Sequence, residues 1–172
     1  MNFELTIAPL NDIKSDLQII MVIENDLKHS FIHDKKLLKK AGFKGGQDET
    51  VLFLENDRLY VGVEKISGAN IRTAAASAMR ALASTNYKHI SIASYMNSEK
   101  CTAMLRAMVE GFILGAYRFE TYKSEKCINP VKEITISLEE YHGYTLNIDV
   151  CAQTLNRAQI VAEATNFTRD IV

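Results

Sequence analysis

Thr50-Val51-Leu52-Phe53-Leu54-Glu55-Asn56-Asp57-Arg58-Leu59-Tyr60-Val61-Gly62-Val63 is the stretch whose reading decides the fold. Thr50 to Leu54 and Leu59 to Val63 are strand-like runs, rich in branched and aromatic side chains. Between them stand Glu55-Asn56-Asp57-Arg58, and Asn-Asp in so short a connection predicts a hairpin. The period then changes. From about Ala69 to Ala83, Ile71, Ala75, Ala78 and Leu82 recur at spacings of three and four, which predicts a helix with one buried side. Its many alanines would let it lie close against a sheet. His89 to Tyr95 returns to alternation and reads as another strand. A hairpin followed by a helical crossover requires a sheet with both antiparallel and parallel neighbours.

The flanks extend the pattern. Phe3 to Ala8 alternates apolar and polar, and Leu17 to Ile23 is a nearly continuous apolar run, as expected of a strand buried on both faces. Asp34 is placed to cap a short helix through Leu38 and Ala41, with Gly42 ending it. Downstream, Ser98 is placed to cap a long helix to about Leu114, with Cys101, Leu105, Met108 and Phe112 on its apolar side. Gly115 reads as its left-handed cap. Tyr117 to Tyr122 is short and aromatic and reads as an edge strand, and Glu133 to Leu138 as the last strand. A loop through His142-Gly143 leads to a final helix from about Asp149. The expected class is α/β: a layered mixed β-sheet flanked by helices.

Bulk properties narrow the functions. The chain has 172 residues, 47% hydrophobic and 24% charged, which suits one soluble domain with a real core. Its net charge of −1 gives no general pull toward nucleic acid or anionic lipid. No apolar run approaches the roughly 18–20 residues that cross a membrane, and Met1-Asn2-Phe3-Glu4 is not the start of a signal peptide. Cys101, Cys127 and Cys151 lie far apart and read as reduced thiols of a cytoplasmic protein.

The final helix carries two stripes: Cys151, Leu155, Ala158, Ala162 and Thr165 on one, and Ile160, Ala164, Phe167 and Ile171 on the other. No stop signal follows, so the helix is expected to lead onward into a further part of a longer protein. The division expected is 1–147 as an N-terminal α/β domain and 148–172 as a linker helix, with one stripe covering this domain's sheet and the other bare.

Clusters of reactive residues are thin. His29 and His33 have the spacing of two metal ligands on one helix face, but no His-Glu-x-x-His pattern surrounds them. Lys35, Lys36, Lys39, Lys40 and Lys44 form a basic patch that could meet phosphate, although such runs are more often solvated faces. Gly42, Gly45, Gly46, Gly62 and Gly68 form neither dinucleotide nor P-loop fingerprint and read as turns. Glu139-Glu140 beside Tyr141-His142 reads as a polar loop. No nucleophile elbow is present, and nothing assembles an active site.

One segment goes beyond periodicity: Val109-Glu110-Gly111-Phe112-Ile113-Leu114-Gly115-Ala116-Tyr117-Arg118-Phe119-Glu120-Thr121-Tyr122-Lys123-Ser124. It resembles the signature near the end of the N-terminal domain of the leucyl (cytosol) aminopeptidase family. Phe43-Lys44-Gly45-Gly46 with the hairpin after it, Ile71-Arg72-Thr73-Ala74-Ala75 through Arg80-Ala81-Leu82, and Ala162-Glu163-Ala164 to Arg169-Asp170-Ile171-Val172 follow that family in the same order. The resemblance spans roughly residues 40 to 172. Read physically, Gly111 and Gly115 leave one helix face bare so that backbone can approach, and Tyr117, Phe119 and Tyr122 supply apolar bodies with polar tips. Glu110, Gly111, Gly115, Tyr117, Phe119, Tyr122, Lys123, Arg169 and Asp170 are therefore motif residues with an expected structural role, and none is expected to be catalytic.

The resemblance implies a macro-domain-like, non-catalytic domain serving assembly. It implies a cytoplasmic metallo-aminopeptidase parent, hexameric, with peptide substrates. Its two divalent ions, zinc or manganese, would be held by a catalytic domain absent here, so no metal ligand or cofactor is expected in this chain. Two alternatives stay open: a DNA-binding accessory module using the Lys35–Lys44 patch, and a macro-like nucleotide-binding domain, for which no Asn-rich or Gly-rich diphosphate loop is found.

Overall fold

The computed structural model describes residues 1–93, 101–119, 129–139 and 147–171. Strands β1 (Asn2–Thr6), β2 (Leu17–Ile23), β3 (Thr50–Phe53), β4 (Arg58–Val63), β5 (His89–Ala93) and β6 (Glu133–Ser137) form one sheet in the order β1-β6-β5-β2-β4-β3. All neighbours are parallel except β3 and β4, the hairpin, where Leu52 stands opposite Leu59 and Phe53 opposite Arg58. The mixed α/β sheet expected from the hairpin and crossovers is thus the observed one.

Among the described residues four α-helices accompany the sheet: α1 (Lys35–Lys40), α2 (Gly68–Leu82), α3 (Cys101–Ala116) and α4 (Ile148–Ile171). The crossovers β4–α2–β5 and β5–α3–β6 step in the same direction along the sheet, so right-handed connection puts α2 and α3 on one face, where they pack together. Tyr60 and Gly62 point the other way. The Tyr60 hydroxyl reaches Asp34 at the head of α1, and Gly62 lies under the Gly45–Gly46 turn. Both faces of the sheet are therefore covered. Ile19, Ile20, Met21 and Val22 on β2 are accordingly all buried, which explains an apolar run without alternation.

Local signals hold at several ends. Ser67 Oγ accepts the Asn70 N–H at 3.2 Å and starts α2. Gly42, at φ 77°, ends α1, with the Phe43 N–H returning to the Leu38 carbonyl at 3.0 Å in a Schellman closure.

Three expectations need correction. Asp34 stands at the head of α1, but its side chain caps nothing. It accepts from the Tyr60 hydroxyl at 2.7 Å and from Asn56 Nδ2 at 2.9 Å, with Arg58 Nη1 at 3.7 Å. A buried phenol needs a partner more than a two-turn helix needs its cap. Gly115 is no cap either, since α3 runs on to Ala116. The glycine serves the α2 contact instead, because a Cβ there would overlap the Ala76 backbone, 2.7 Å from its carbonyl oxygen. Finally, 117–119 of the expected edge strand are in no strand, and among the described residues the sheet's edges are β1 and β3. The rest of that segment, with Tyr122 and Lys123, lies outside the described residues, as do Ser98, Cys127, Glu140, Tyr141, His142 and Val172.

Candidate functional site

The motif residues gather around α3 and the end of α4. Gly111 faces Arg72 and Ala75 of α2: a Cβ on it would collide with the Arg72 carbonyl oxygen and lie 2.7 Å from the Ala75 methyl. The helices are therefore in backbone contact at this seam. One residue earlier on α3, the buried Glu110 carboxylate closes the seam electrically. It accepts from Arg72 Nε at 2.9 Å and Nη2 at 2.6 Å across the interface, and from Arg106 Nε at 2.7 Å within α3. Burial pushes this carboxyl up, but the hydrogen bonds and charges of Arg106 and Arg72 outweigh it and hold the group below the ordinary glutamate value. With both oxygens occupied by guanidinium groups, Glu110 is a joint between helices and offers no free base.

The far side of α3 holds α4. Cys151, Leu155, Ala158 and Ala162 are buried, and small residues at 158 and 162 let the helices approach. Three polar contacts fasten the last turns. Asn166 Nδ2 donates to the Ile113 carbonyl at 3.3 Å, the Tyr117 hydroxyl donates to Asp170 Oδ1 at 2.8 Å, and the Arg169 guanidinium lies 5.4 Å from the Tyr117 ring centre. Burial and the bond to Asp170 both raise the Tyr117 hydroxyl above the usual tyrosine range. The structure thus brings Tyr117 to Arg169 and Asp170, more than fifty positions further along the sequence. Asn166 joins them; sequence reading placed it only within the linker motif, because an Asn on a helix gives no hint of its partner. Phe119 is 40% exposed.

The other stripe of α4 is bare. Ile160, Phe167 and Ile171 are each about two-thirds exposed, with Ala164 exposed between them. The two stripes read from the sequence are therefore one covered and one open face, although the covered one packs on α3 rather than on the sheet.

The remaining candidates do not converge. Residues 29–33 are not helical, so the histidine spacing creates no common face, and His29 Nδ1 accepts the Phe31 N–H at 3.2 Å. Glu139 Oε2 accepts the Leu10 N–H at 2.9 Å. Among the described residues no three His, Cys, Asp or Glu side chains lie close enough to hold a metal ion. The metal chemistry implied by the resemblance therefore has no fitting donor set among the described residues.

These observations define an α/β domain whose organised features are helix seams and one open helix face. The family profile "Cytosol aminopeptidase family, N-terminal domain" matches residues 32–126, more than half of the chain, and the chain belongs to that family. It is 32% identical over 165 residues to a probable cytosol aminopeptidase of Wolinella succinogenes, covering 96% of this chain and 34% of the relative. A probable cytosol aminopeptidase of Campylobacter jejuni is 33% identical over 172 residues, covering 100% and 35%. The chain therefore spans about a third of the length of these curated relatives. In fold it is similar to a mutant of tomato leucine aminopeptidase, with TM-score 0.74, 15% identity, and coverage of 95% of this chain and 36% of that one. It is also similar to the bottromycin maturation enzyme BotP, with TM-score 0.67, 20% identity, and coverage of 91% and 32%. No helix among the described residues is long and apolar enough to cross a membrane.

Proposed function

We propose that this chain is the non-catalytic N-terminal domain of a metal-dependent aminopeptidase that removes N-terminal residues from peptides in the cytoplasm. In this reading 1–147 form the domain and 148–172 the linker helix, and the open face of α4 is covered by the protein's own catalytic portion. The observation that carries it is the split burial of α4. One side is packed on α3 through Leu155 and Ala158, while Ile160, Phe167 and Ile171 form an apolar stripe about two-thirds exposed. A continuous apolar stripe of this kind on one helix face calls for a partner surface. Two metal ions, zinc or manganese, and the chemistry they supply would belong to the catalytic portion. Assembly as a hexamer would then use surfaces of both parts.

The test separates the two parts. The 172-residue chain, given Mn²⁺ or Zn²⁺ and leucine p-nitroanilide, is expected to show no hydrolysis. The same chain joined to the C-terminal two-thirds of the Wolinella succinogenes relative is expected to hydrolyse it. Turnover by the short chain alone overturns the assignment.

A further inference from the structure

A second feature lies on the opposite face of the sheet, away from α3 and α4. A cavity of about 490 Å³ opens between the turn after β2, helix α1 and the turn after it. Lys28, Lys35, Lys39 and Lys44 line it together with Asn25 and Phe43, and no carboxylate does. The four lysines come from three separate pieces of chain. Lys35 and Lys39 are one turn apart on α1 and share a face. Lys28 is drawn in from the turn after β2, where the Lys35 ammonium lies 3.4 Å from its carbonyl oxygen. Asn25, at φ 60°, donates its N–H to the Lys44 carbonyl at 2.8 Å and so ties that turn to the one carrying Lys44. Phe43 is buried and held by the closure of α1, which gives the cavity a fixed apolar floor.

Two carboxylates stand beside the cavity, each held by backbone N–H groups rather than by a lysine head group. Asp26 Oδ1 takes the Lys28 N–H at 3.1 Å. Glu49 Oε2 takes the N–H groups of Lys44, Gly45 and Gly46 at 2.8, 2.9 and 3.2 Å. None of the four lysines forms an ion pair among the described residues. Four exposed ammonium groups around one concavity, offset in part by Glu49 beside Lys44, leave a positive potential that favours an anion. Ammonium groups are compact donors suited to phosphate oxygens, and sites for small ligands span about 300–1,000 Å³. We propose that this cavity binds a small polyphosphate anion, with Lys28, Lys35, Lys39 and Lys44 as its charge partners. Inorganic polyphosphate and nucleoside triphosphates share that chemistry.

Two lysine pairs on the same helix supply the test. Lys36 and Lys40 also stand one turn apart on α1 but do not line the cavity. Tripolyphosphate and ATP are titrated calorimetrically into the 172-residue chain at low salt. Tripolyphosphate is expected to bind and to weaken as salt is raised. Lys35→Glu with Lys39→Glu should weaken it by more than about tenfold, whereas Lys36→Glu with Lys40→Glu, the same change in net charge, should change it less than about threefold. ATP binding equal to tripolyphosphate assigns the affinity to the phosphates, and tighter binding adds a base contact; either supports the site. No heat with tripolyphosphate overturns the proposal. Equal weakening by the two pairs also overturns it, because the attraction is then diffuse and would serve duplex DNA as well as a small anion. Far-UV circular dichroism of both variants confirms that the comparison is between folded proteins.

Discussion

Helices α3 and α4 are neighbours, yet the chain uses them differently. Helix α3 is enclosed: Leu105, Met108, Val109 and Phe112 are buried, and Gly111 and Gly115 lie against the backbone of α2. Helix α4 is longer, but only Cys151, Leu155, Ala158 and Ala162 are buried, while Ile160, Phe167 and Ile171 face outward. A residue on α3 is fixed by contacts inside this domain, so its substitution should cost stability here. A residue on the outer face of α4 has no such contact, so its chemistry must be explained by something else.

The largest expected effect tests the closure of α3. Gly111→Val places a branched side chain where a single Cβ already collides with the Arg72 carbonyl, and the helices can relieve this only by separating. The expected cost is about 3 kcal/mol, or a fall in Tm of about 6–12 °C, measured by denaturant and thermal unfolding. A loss below about 0.5 kcal/mol would mean that the seam is loose and that α3 is no more committed than α4. Next comes the inner face of α4. Leu155→Ala removes a side chain that is only 6% exposed, and about 2–3 kcal/mol should be lost as a cavity opens toward α3. A near-neutral result would show α4 to be loosely docked along its whole length.

The difference between these helices was only partly legible in the sequence. Periodicity gave both helices and separated the stripes of α4 correctly, because the 3.6-residue repeat is written in the chain. It did not show which element each stripe meets, since packing partners come from topology. The seam glycines show the limit. Gly115 four residues after Gly111 fits a helix-ending cap as well as a close helix contact, and only the position of Ala76 decides. Asp34 failed in a similar way, because Tyr60, which claims its carboxylate, lies across the sheet's surface rather than nearby in sequence. The lysine cavity was half visible. Four-residue spacing separates Lys35 and Lys39 from Lys36 and Lys40 in the basic patch, but which pair faces the cavity, and the arrival of Lys28, required the fold.

A smaller effect, with its own pH signature, sharpens the electrical side of the seam. Glu110→Gln should cost about 1–2 kcal/mol, since Arg72 and Arg106 lose a charged acceptor but are themselves 42% and 56% exposed and can turn to water. The Glu110 carboxyl titrates lower in the folded chain than its ordinary value of 4.5. The folded state therefore favours the ionised form. Its contribution is fully present above about pH 4.5 and is lost as pH falls from there through the lower folded value. The stability of wild type and Glu110→Gln should converge on acidification below that point. Curves that stay parallel would mean that the arginines contribute nothing to the joint.

The smallest effect carries the most about function. Ile160→Ser with Phe167→Ser exchanges two exposed apolar side chains for polar ones. In the 172-residue chain both are about two-thirds exposed, so each change should fall within about 0.5 kcal/mol by urea unfolding. If the outer stripe is covered by a catalytic portion, the same pair placed in the chimera with the Wolinella succinogenes relative should lower assembly and hydrolysis while the isolated domain stays as stable as before. The contrast with Leu155→Ala is then complete: one face of α4 stabilises the domain, and the other is felt only when a second part is present. If the double variant instead destabilises the short chain as much as Leu155→Ala does, the outer stripe is already packed within this domain. No partner would then be needed to explain why residues as apolar as Ile160 and Phe167 stand there.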